Sequence, residues 1–220
     1  MQSLQDLLYE KRAGIAYVTI NRPQAMNALS HTALDELRSV MEDARADPVV
    51  HGVIVTGAGD KAFVTGAEMT GNGSTSAIDA EAFMRSGRFA FDLIEQLGKP
   101  VIAAVNGWAS GEGCELAMAC TVRLATAHAR FGRREVLPGF VRGFGGTQRL
   151  LRLVGKSRAL QLILTADTID ATEAQRNGLV DEIVDADQLI TRAETILSRM
   201  RLNAPIPAPA SVGMLRLKTV

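Results

Sequence analysis

Residues 106–119 read NGWASGEGCELAMA, a run of small residues that leads directly into an apolar segment. The stretch before it, residues 101–105 (VIAAV), is apolar at every position, which is typical of a strand buried on both faces of a sheet. Residues 122–125 predict another strand. A strand, a glycine turn, a short helix and a further strand in this order predict an α/β fold with crossover connections.

The same alternation continues towards the N-terminus. Residues 15–21 (IAYVTIN) and 49–56 (VVHGVIVT) are rich in β-branched residues and bounded by glycine or proline, so both predict strands. Between them Ser30 is a suitable N-cap for an amphipathic helix that ends before Pro48. One α/β domain therefore accounts for the first half of the chain.

Further helices are predicted after the second of these strands. Apolar periodicity predicts three more helices: residues 79–97, a helix that opens at Thr147, and residues 187–201. Thr172 and Gln175 form the pattern of a capping box, and Gly178 is a suitable C-terminal stop for that helix.

The composition limits the classes of partner. Of the 220 residues, 47% are hydrophobic and 22% charged, which argues against disorder. Basic and acidic residues both number 24, so no net charge attracts the protein to nucleic acid or to an anionic membrane. Cys114 and Cys120 point in different directions on one predicted helix and cannot bridge. With no apparent signal peptide or membrane span, we expect a cytoplasmic protein.

Three segments carry the pattern of a chemical site: KAFVTGAEM at 61–69, NGWASGEGCELAMA at 106–119, and FGRREVLPGFVRGFGGTQRL at 131–150. In this order and spacing they resemble the crotonase (enoyl-CoA hydratase/isomerase) superfamily, and the resemblance extends over NRPQAMNAL at 21–29 and over residues 156–184. It implies a ClpP-like spiral of repeated ββα units with the helices outside. We expect a core domain at residues 1–200 and a shortened C-terminal segment at 201–220.

The first two loops allow a ligand to approach the backbone. Gly66 and Ala67 carry almost no side chain, and the second loop precedes a helix whose first amides lack intrahelical acceptors. Two such amides on one oxygen would stabilise an enolate-like transition state. The resemblance places them at Ala67 and Glu112. The alternative is that these glycines only serve tight turns and close packing.

Two glutamates stand out for acid–base chemistry. Glu115 lies in the strongly apolar segment CELAMA, where an unpaired carboxylate would be costly, and Glu135 lies in a loop-like segment. The resemblance implies that Glu115 activates water and that Glu135 delivers the α-proton. Alternatively, each glutamate pairs with an arginine.

The glutamate pair favours hydration of a 2-enoyl-CoA, a hydro-lyase reaction, because a Δ3,Δ2-enoyl-CoA isomerase needs essentially one carboxylate. The other alternative is a catalytically weak CoA-binding or scaffold protein. An acyl-CoA thioester is the implied partner, and its CoA moiety is part of the substrate. We expect no metal and no other cofactor, since the chemistry is acid–base catalysis with enolate stabilisation.

The remaining substrate-binding positions also come from the resemblance. Ala25 matches a position near the adenine end of CoA, and the other candidates that line the substrate are Gly66, Glu68, Gly143 and Phe144. The family implies a homotrimer or hexamer, provided that the C-terminal region permits it.

The chain departs from the family pattern at two of these positions. Glu112 replaces a usual glycine, and an outward orientation of its side chain is favoured because three carboxylates around an enolate would oppose the chemistry. Phe144 either narrows the acyl pocket or packs in the core. Arg142, with Arg133 and Arg134, forms a basic cluster that either attracts CoA phosphates or is simply solvated.

Overall fold

A computed structural model describes residues 2–68, 77–132 and 144–203 of the chain. The strands are β1 Gln2–Ser3, β2 Leu7–Arg12, β3 Ile15–Ile20, β4 Gly52–Gly57, β5 Ala62–Val64, β6 Val101–Val105, β7 Trp108–Ser110, β8 Val122–Thr126, β9 Arg130–Gly132, β10 Thr168–Asp170 and β11 Glu182–Val184. The α-helices are α1 His31–Ala46, α2 Ala77–Glu95, α3 Glu112–Ala119, α4 Gly146–Val154, α5 Lys156–Thr165, α6 Ala171–Arg176 and α7 Leu189–Asn203. Pro23–Ala25 forms a short 3-10 turn.

The described strands form two sheets. The larger has the order β1-β2-β3-β4-β6-β8-β11, and the smaller has the order β10-β9-β7-β5. From β3 to β11 the neighbours in the larger sheet run parallel, and β5, β7 and β9 run parallel in the smaller one.

Successive chain segments repeat one pattern. In β4-β5-α2, β6-β7-α3 and β8-β9-α4, the first strand joins the larger sheet, the second joins the smaller sheet, and a helix follows. This repetition confirms the expected spiral of ββα units. It also stacks the second strands of successive units side by side, which positions the loops described below.

Side chains alternate between the two faces of a strand, and β6 in the middle of the larger sheet is buried on both faces. In β6, Val101, Ala103 and Val105 face the main core, while Ile102 and Ala104 face a second cluster with residues of α7. The wholly apolar sequence of this strand predicted that burial correctly.

The helix-start predictions have mixed outcomes. Ser30 caps α1 as expected, since its hydroxyl oxygen accepts a hydrogen bond from the Ala33 amide at 2.9 Å. The predicted Thr172–Gln175 capping box is wrong, because α6 begins at Ala171 and is capped by Asp170, whose carboxylate accepts from the Glu173 amide.

Within the described ranges, none of the helices combines the length and the apolar character that crossing a bilayer requires. Most of the predicted C-terminal segment 201–220 lies outside the described residues, since α7 ends at Asn203.

Candidate active site

Three parallel strands of the smaller sheet end at the same edge. β7 pairs with β5 on one side and with β9 on the other, with Val64 opposite Ala109 and Ser110 opposite Gly132. Loops that follow the carboxyl ends of adjacent parallel strands lie side by side, and such an edge is where open α/β sheets bind ligands. Each of the three sequence segments predicted to be chemical includes residues of one of these strands.

In the first loop, the backbone amide of Ala67 points away from the segment with which the loop pairs. Leu29 and Ala67 form an isolated parallel bridge, in which the Leu29 amide donates to Gly66 and the Glu68 amide donates to Leu29. Successive peptide groups of an extended segment point to opposite sides, so the Ala67 amide points away from Leu29. Within the described parts of the chain it donates no hydrogen bond. The Ala67 amide is therefore available on the side away from Leu29, and its role as an oxyanion donor stays a prediction.

The second loop brings the start of α3 against the first. Gly111 caps the helix with φ 56°, and its amide donates to the Gly132 carbonyl at 2.9 Å. A Cβ at Gly113 would lie only 1.8 Å from the Val64 carbonyl oxygen, so α3 packs on β5 at a distance that only glycine permits. The positive end of the α3 dipole, which begins at Glu112, therefore lies beside the Ala67 loop.

The side chain of Glu112 is directed at that loop. It is half-buried, and its Oε2 lies 3.5 Å from the position that a Cβ would take at Gly66. The outward orientation favoured from the sequence is therefore not what the structure has. The Glu112 carboxylate thus lies beside the side of Gly66 where a side chain would project, and the φ of +130° at this residue suits glycine.

Glu115 is buried one turn further along α3. Its residue is 2% exposed, and Oε1 accepts a hydrogen bond from the amide of Gly146, the first residue of α4, at 3.2 Å. Its other oxygen, Oε2, is also shielded from solvent. A backbone amide thus holds one oxygen of this carboxylate, and the alternative of an arginine partner stays open.

Phe144 packs in the core. Its ring contacts those of Phe83 and Phe91 on α2, with centroids 5.7 and 5.2 Å away, and it is 1% exposed. Gly87, between those two residues on α2, leaves room for it, since a Cβ there would lie 2.1 Å from the Phe144 ring. Of the two interpretations of Phe144, the structure has core packing.

Arg149 is a buried residue of the site that sequence reasoning missed. It is 5% exposed and donates to the Phe144 carbonyl at 2.6 Å, to Asp92 at 2.5 Å and to Glu95 at 2.9 Å. It therefore ties the start of α4, where Gly146 meets Glu115, to α2. Nothing local in the sequence distinguishes it from Arg152, which lies on the same helix.

Glu135 and Gly143 lie outside the described residues, as does the predicted basic cluster of Arg133, Arg134 and Arg142. The described chain on either side of them is close to the site. The Gly132 carbonyl accepts from the Gly111 amide, and the Gly146 amide donates to Glu115.

The remaining predicted substrate positions are near the first loop. Ala25 ends the short 3-10 turn, and Thr65 donates from its hydroxyl to the Met26 carbonyl at 3.0 Å. Glu68 pairs with Arg22 at 2.6 Å, and its side chain is 43% exposed. The structure therefore places Ala25, Gly66 and Glu68 around one linked pair of segments.

Nucleophilic and metal-binding side chains have little part in this geometry. Both cysteines are buried free thiols, and burial raises the pKa of Cys120 to about 12, so that thiol is protonated at neutral pH. Among the described residues, no group of three or more His, Cys, Asp or Glu side chains is placed to hold a metal ion.

Comparison with known proteins agrees with this geometry. The model of the family "Enoyl-CoA hydratase/isomerase" matches residues 10–212. The chain belongs to this family. Among its relatives are the short-chain-enoyl-CoA hydratase of Clostridium acetobutylicum, 46% identical over 94% of this chain and 80% of the relative, and the crotonyl-CoA hydratase of Syntrophomonas wolfei, 47% identical over 89% and 75%.

Solved structures of the family share the fold. An enoyl-CoA hydratase from Bacillus anthracis superposes with a TM-score of 0.92 at 34% identity, covering 96% of this chain and 83% of that one. The crotonase-type fold expected from the three motifs is thereby confirmed.

Proposed function

We propose that the protein hydrates short 2-enoyl-CoA thioesters, with Glu115 and Glu135 as its acid–base pair and with the Ala67 and Glu112 amides as its oxyanion hole. One observation carries the proposal: the Ala67 loop and the start of α3 lie together, next to the buried carboxylate of Glu115. Family membership supports the hydratase activity, and two relatives named for short-chain and crotonyl substrates support the chain length.

The amides act on the thioester carbonyl. Addition of water at Cβ moves electron density through Cα to the carbonyl oxygen, which becomes enolate-like. Hydrogen bonds from two fixed amides strengthen as this charge develops, and the α3 dipole contributes in the same direction. In comparable acyl-transfer sites each donor is worth about 10²–10³ in rate.

The two glutamates divide the proton transfers. Glu115 accepts a proton from water as the oxygen attacks Cβ, and Glu135 delivers a proton to Cα, so that the elements of water are added across the double bond. The Gly146 amide holds Oε1 of Glu115 and leaves the carboxylate in one orientation. The burial of Glu115 limits the water that can compete with the attacking molecule.

The proposal includes the surroundings of the site. Ala25, Gly66, Glu68 and Gly143 border the bound substrate, and no metal or additional cofactor takes part. The active form is a homotrimer or hexamer in the cytoplasm, where reduced thiols such as the two free cysteines are common.

Turnover of crotonyl-CoA, followed by loss of the ultraviolet absorbance of the conjugated thioester, tests the proposal. We expect Glu115→Gln and Glu135→Gln each to lose about 10²–10⁴-fold in kcat, because each removes one proton transfer. Glu182→Gln is the matched control, since Glu182 pairs with Arg192 on the surface.

Full activity in either site variant would refute the assigned roles. A wild-type protein that binds acyl-CoA but only shifts a 3-enoyl double bond would be an isomerase, and one with no turnover would be a binding protein.

A further inference from the structure

Arg22 connects the two segments that flank the first oxyanion donor. Its side chain is 14% exposed, and its guanidinium pairs through Nη2 with Glu68 at 2.6 Å while Nη1 donates to the Ala28 carbonyl at 2.5 Å. Leu29 and Ala67 form the isolated bridge, and the two partners of Arg22 are their neighbours: Ala28 precedes Leu29, and Glu68 follows Ala67. The guanidinium therefore spans the bridge that carries the Ala67 amide.

Arg22 is itself held on other sides. Its Nε lies 3.3 Å from Asp6, which is buried and accepts a hydrogen bond from Ser30, the N-cap of α1. Its own amide donates to the side chain of Asn27, which is 1% exposed and donates in turn to the Ala62 carbonyl of β5. Arg22 is thus held firmly in place, because Asp6 connects it to the start of α1 and Asn27 connects it to the smaller sheet.

The described part of the loop holds Ala67 through its backbone. The Ala67 N–H and the Gly66 carbonyl belong to one planar peptide group, so the hydrogen bond from the Leu29 amide to Gly66 fixes the direction in which the Ala67 N–H points. On the other side of Ala67, the Glu68 amide donates to Leu29. Arg22 holds both Ala28, next to Leu29, and Glu68, so the direction of the Ala67 amide depends on Arg22 through the bridge to Leu29.

We infer that Arg22 is a positioning residue, which fixes the Ala67 amide on the thioester carbonyl through Glu68 and Ala28. This inference rests on the proposed function. Arg22 acts through the backbone and not on the nucleotide, so its effect belongs to the step in which the carbonyl oxygen gains charge. It should be the same for every thioester, whatever is attached to the sulfur.

Two thioesters separate positioning from CoA binding. Crotonyl-CoA and crotonyl-N-acetylcysteamine present the same carbonyl, but the second lacks the nucleotide. We expect Arg22→Met to lower kcat for crotonyl-CoA about 10- to 100-fold, and to lower kcat/KM for the short thioester by a similar factor, because small misplacements of a catalytic group have effects of this size.

Two milder variants grade the effect. Glu68→Gln should lower both rates by a smaller factor, since the contact with Ala28 remains. Arg22→Lys should recover only part of the loss: it keeps the positive charge, but an ammonium group cannot reproduce the forked contacts of a guanidinium. Arg12→Met is the matched control with unchanged kcat, because Arg12 pairs with Glu194 of α7 and is 53% exposed.

Three results would overturn the inference: wild-type kcat in folded Arg22→Met, a loss confined to KM for crotonyl-CoA, or unchanged rates on both thioesters in Glu68→Gln. Glu68→Gln alters a side chain that is 43% exposed, so it should fold and can test the inference even if Arg22→Met does not fold. Absence of hydration by the wild-type protein would instead reject the proposed function.

Discussion

Replacing Arg149 by methionine should destabilise the fold strongly. The guanidinium is 5% exposed and has three acceptors, two of them carboxylates whose side chains are 45% (Asp92) and 29% (Glu95) exposed. Loss of a charged donor to the Phe144 carbonyl costs about 1.5–3 kcal/mol. The carboxylates can recover water, so each adds only about 0.5 kcal/mol. The expected loss in the free energy of unfolding is about 3 kcal/mol, since methionine fills a similar volume.

Urea unfolding at one fixed protein concentration measures this loss, and a thermal scan should show a Tm lower by about 6–12 °C for a chain of this size. Arg152→Met is the matched control. Arg152 lies on the same helix, is 55% exposed and is 3.7 Å from the same Glu95, so we expect a change within about 0.5 kcal/mol. A loss below about 1 kcal/mol for Arg149→Met, or an equal loss in both variants, would refute the argument from burial.

Two further predictions concern stability. A Gly→Ala change inside a helix usually stabilises it by about 1 kcal/mol, but at Gly87 the new Cβ would lie 2.1 Å from the Phe144 ring. We therefore expect Gly87→Ala to lower the free energy of unfolding by about 1–3 kcal/mol, and Phe144→Leu to restore part of it. Urea unfolding measures the change, and a stabilised Gly87→Ala variant would contradict the prediction. Burial lowers the pKa of His51, with a smaller contribution from the charge of Arg201, so the unfolded chain binds its proton at higher pH than the folded one. Stability should therefore fall as the pH drops below the ordinary histidine pKa of about 6.5, and His51→Gln should flatten this dependence of the urea midpoint; identical slopes would count against it.

The long apolar elements were readable from the sequence, and a charged strand was not. Residues 101–105 match β6 in both bounds. By contrast, β2 (LLYEKR) was missed because its last three residues are charged and its outer face is open. Only half of its hairpin turn was marked: Gly14 suits its positive φ of 78°, whereas Ala13 takes a φ of 50°, a conformation that turn patterns assign to Asn or Gly.

The smaller sheet was beyond residue-level prediction for a different reason. β5, β7 and β9 have three residues each, too few for a period of two to be recognised, and their stability comes from neighbours far along the chain. Only the resemblance implied the second strand of each unit.

Within the site, local motifs were enough to single out Ala67 and Glu115 as candidates, and their roles stay predictions. Arg22 and Arg149 were missed because nothing local marks their pairing: Glu68 is 46 positions from Arg22, and the acidic partners of Arg149 are more than 50 positions away.

Because Gly113 packs closely on Val64, neighbouring positions of the proposed oxyanion loops differ in which substitutions they tolerate. Any side chain at 113 would collide with the carbonyl, whereas position 112 carries a glutamate beside it without displacing the helix. Every residue except proline brings the same peptide N–H to position 112. A saturation library there would vary the charge beside the proposed oxyanion hole and keep the N–H, so this single position offers a way to change the electrostatics without rebuilding the fold.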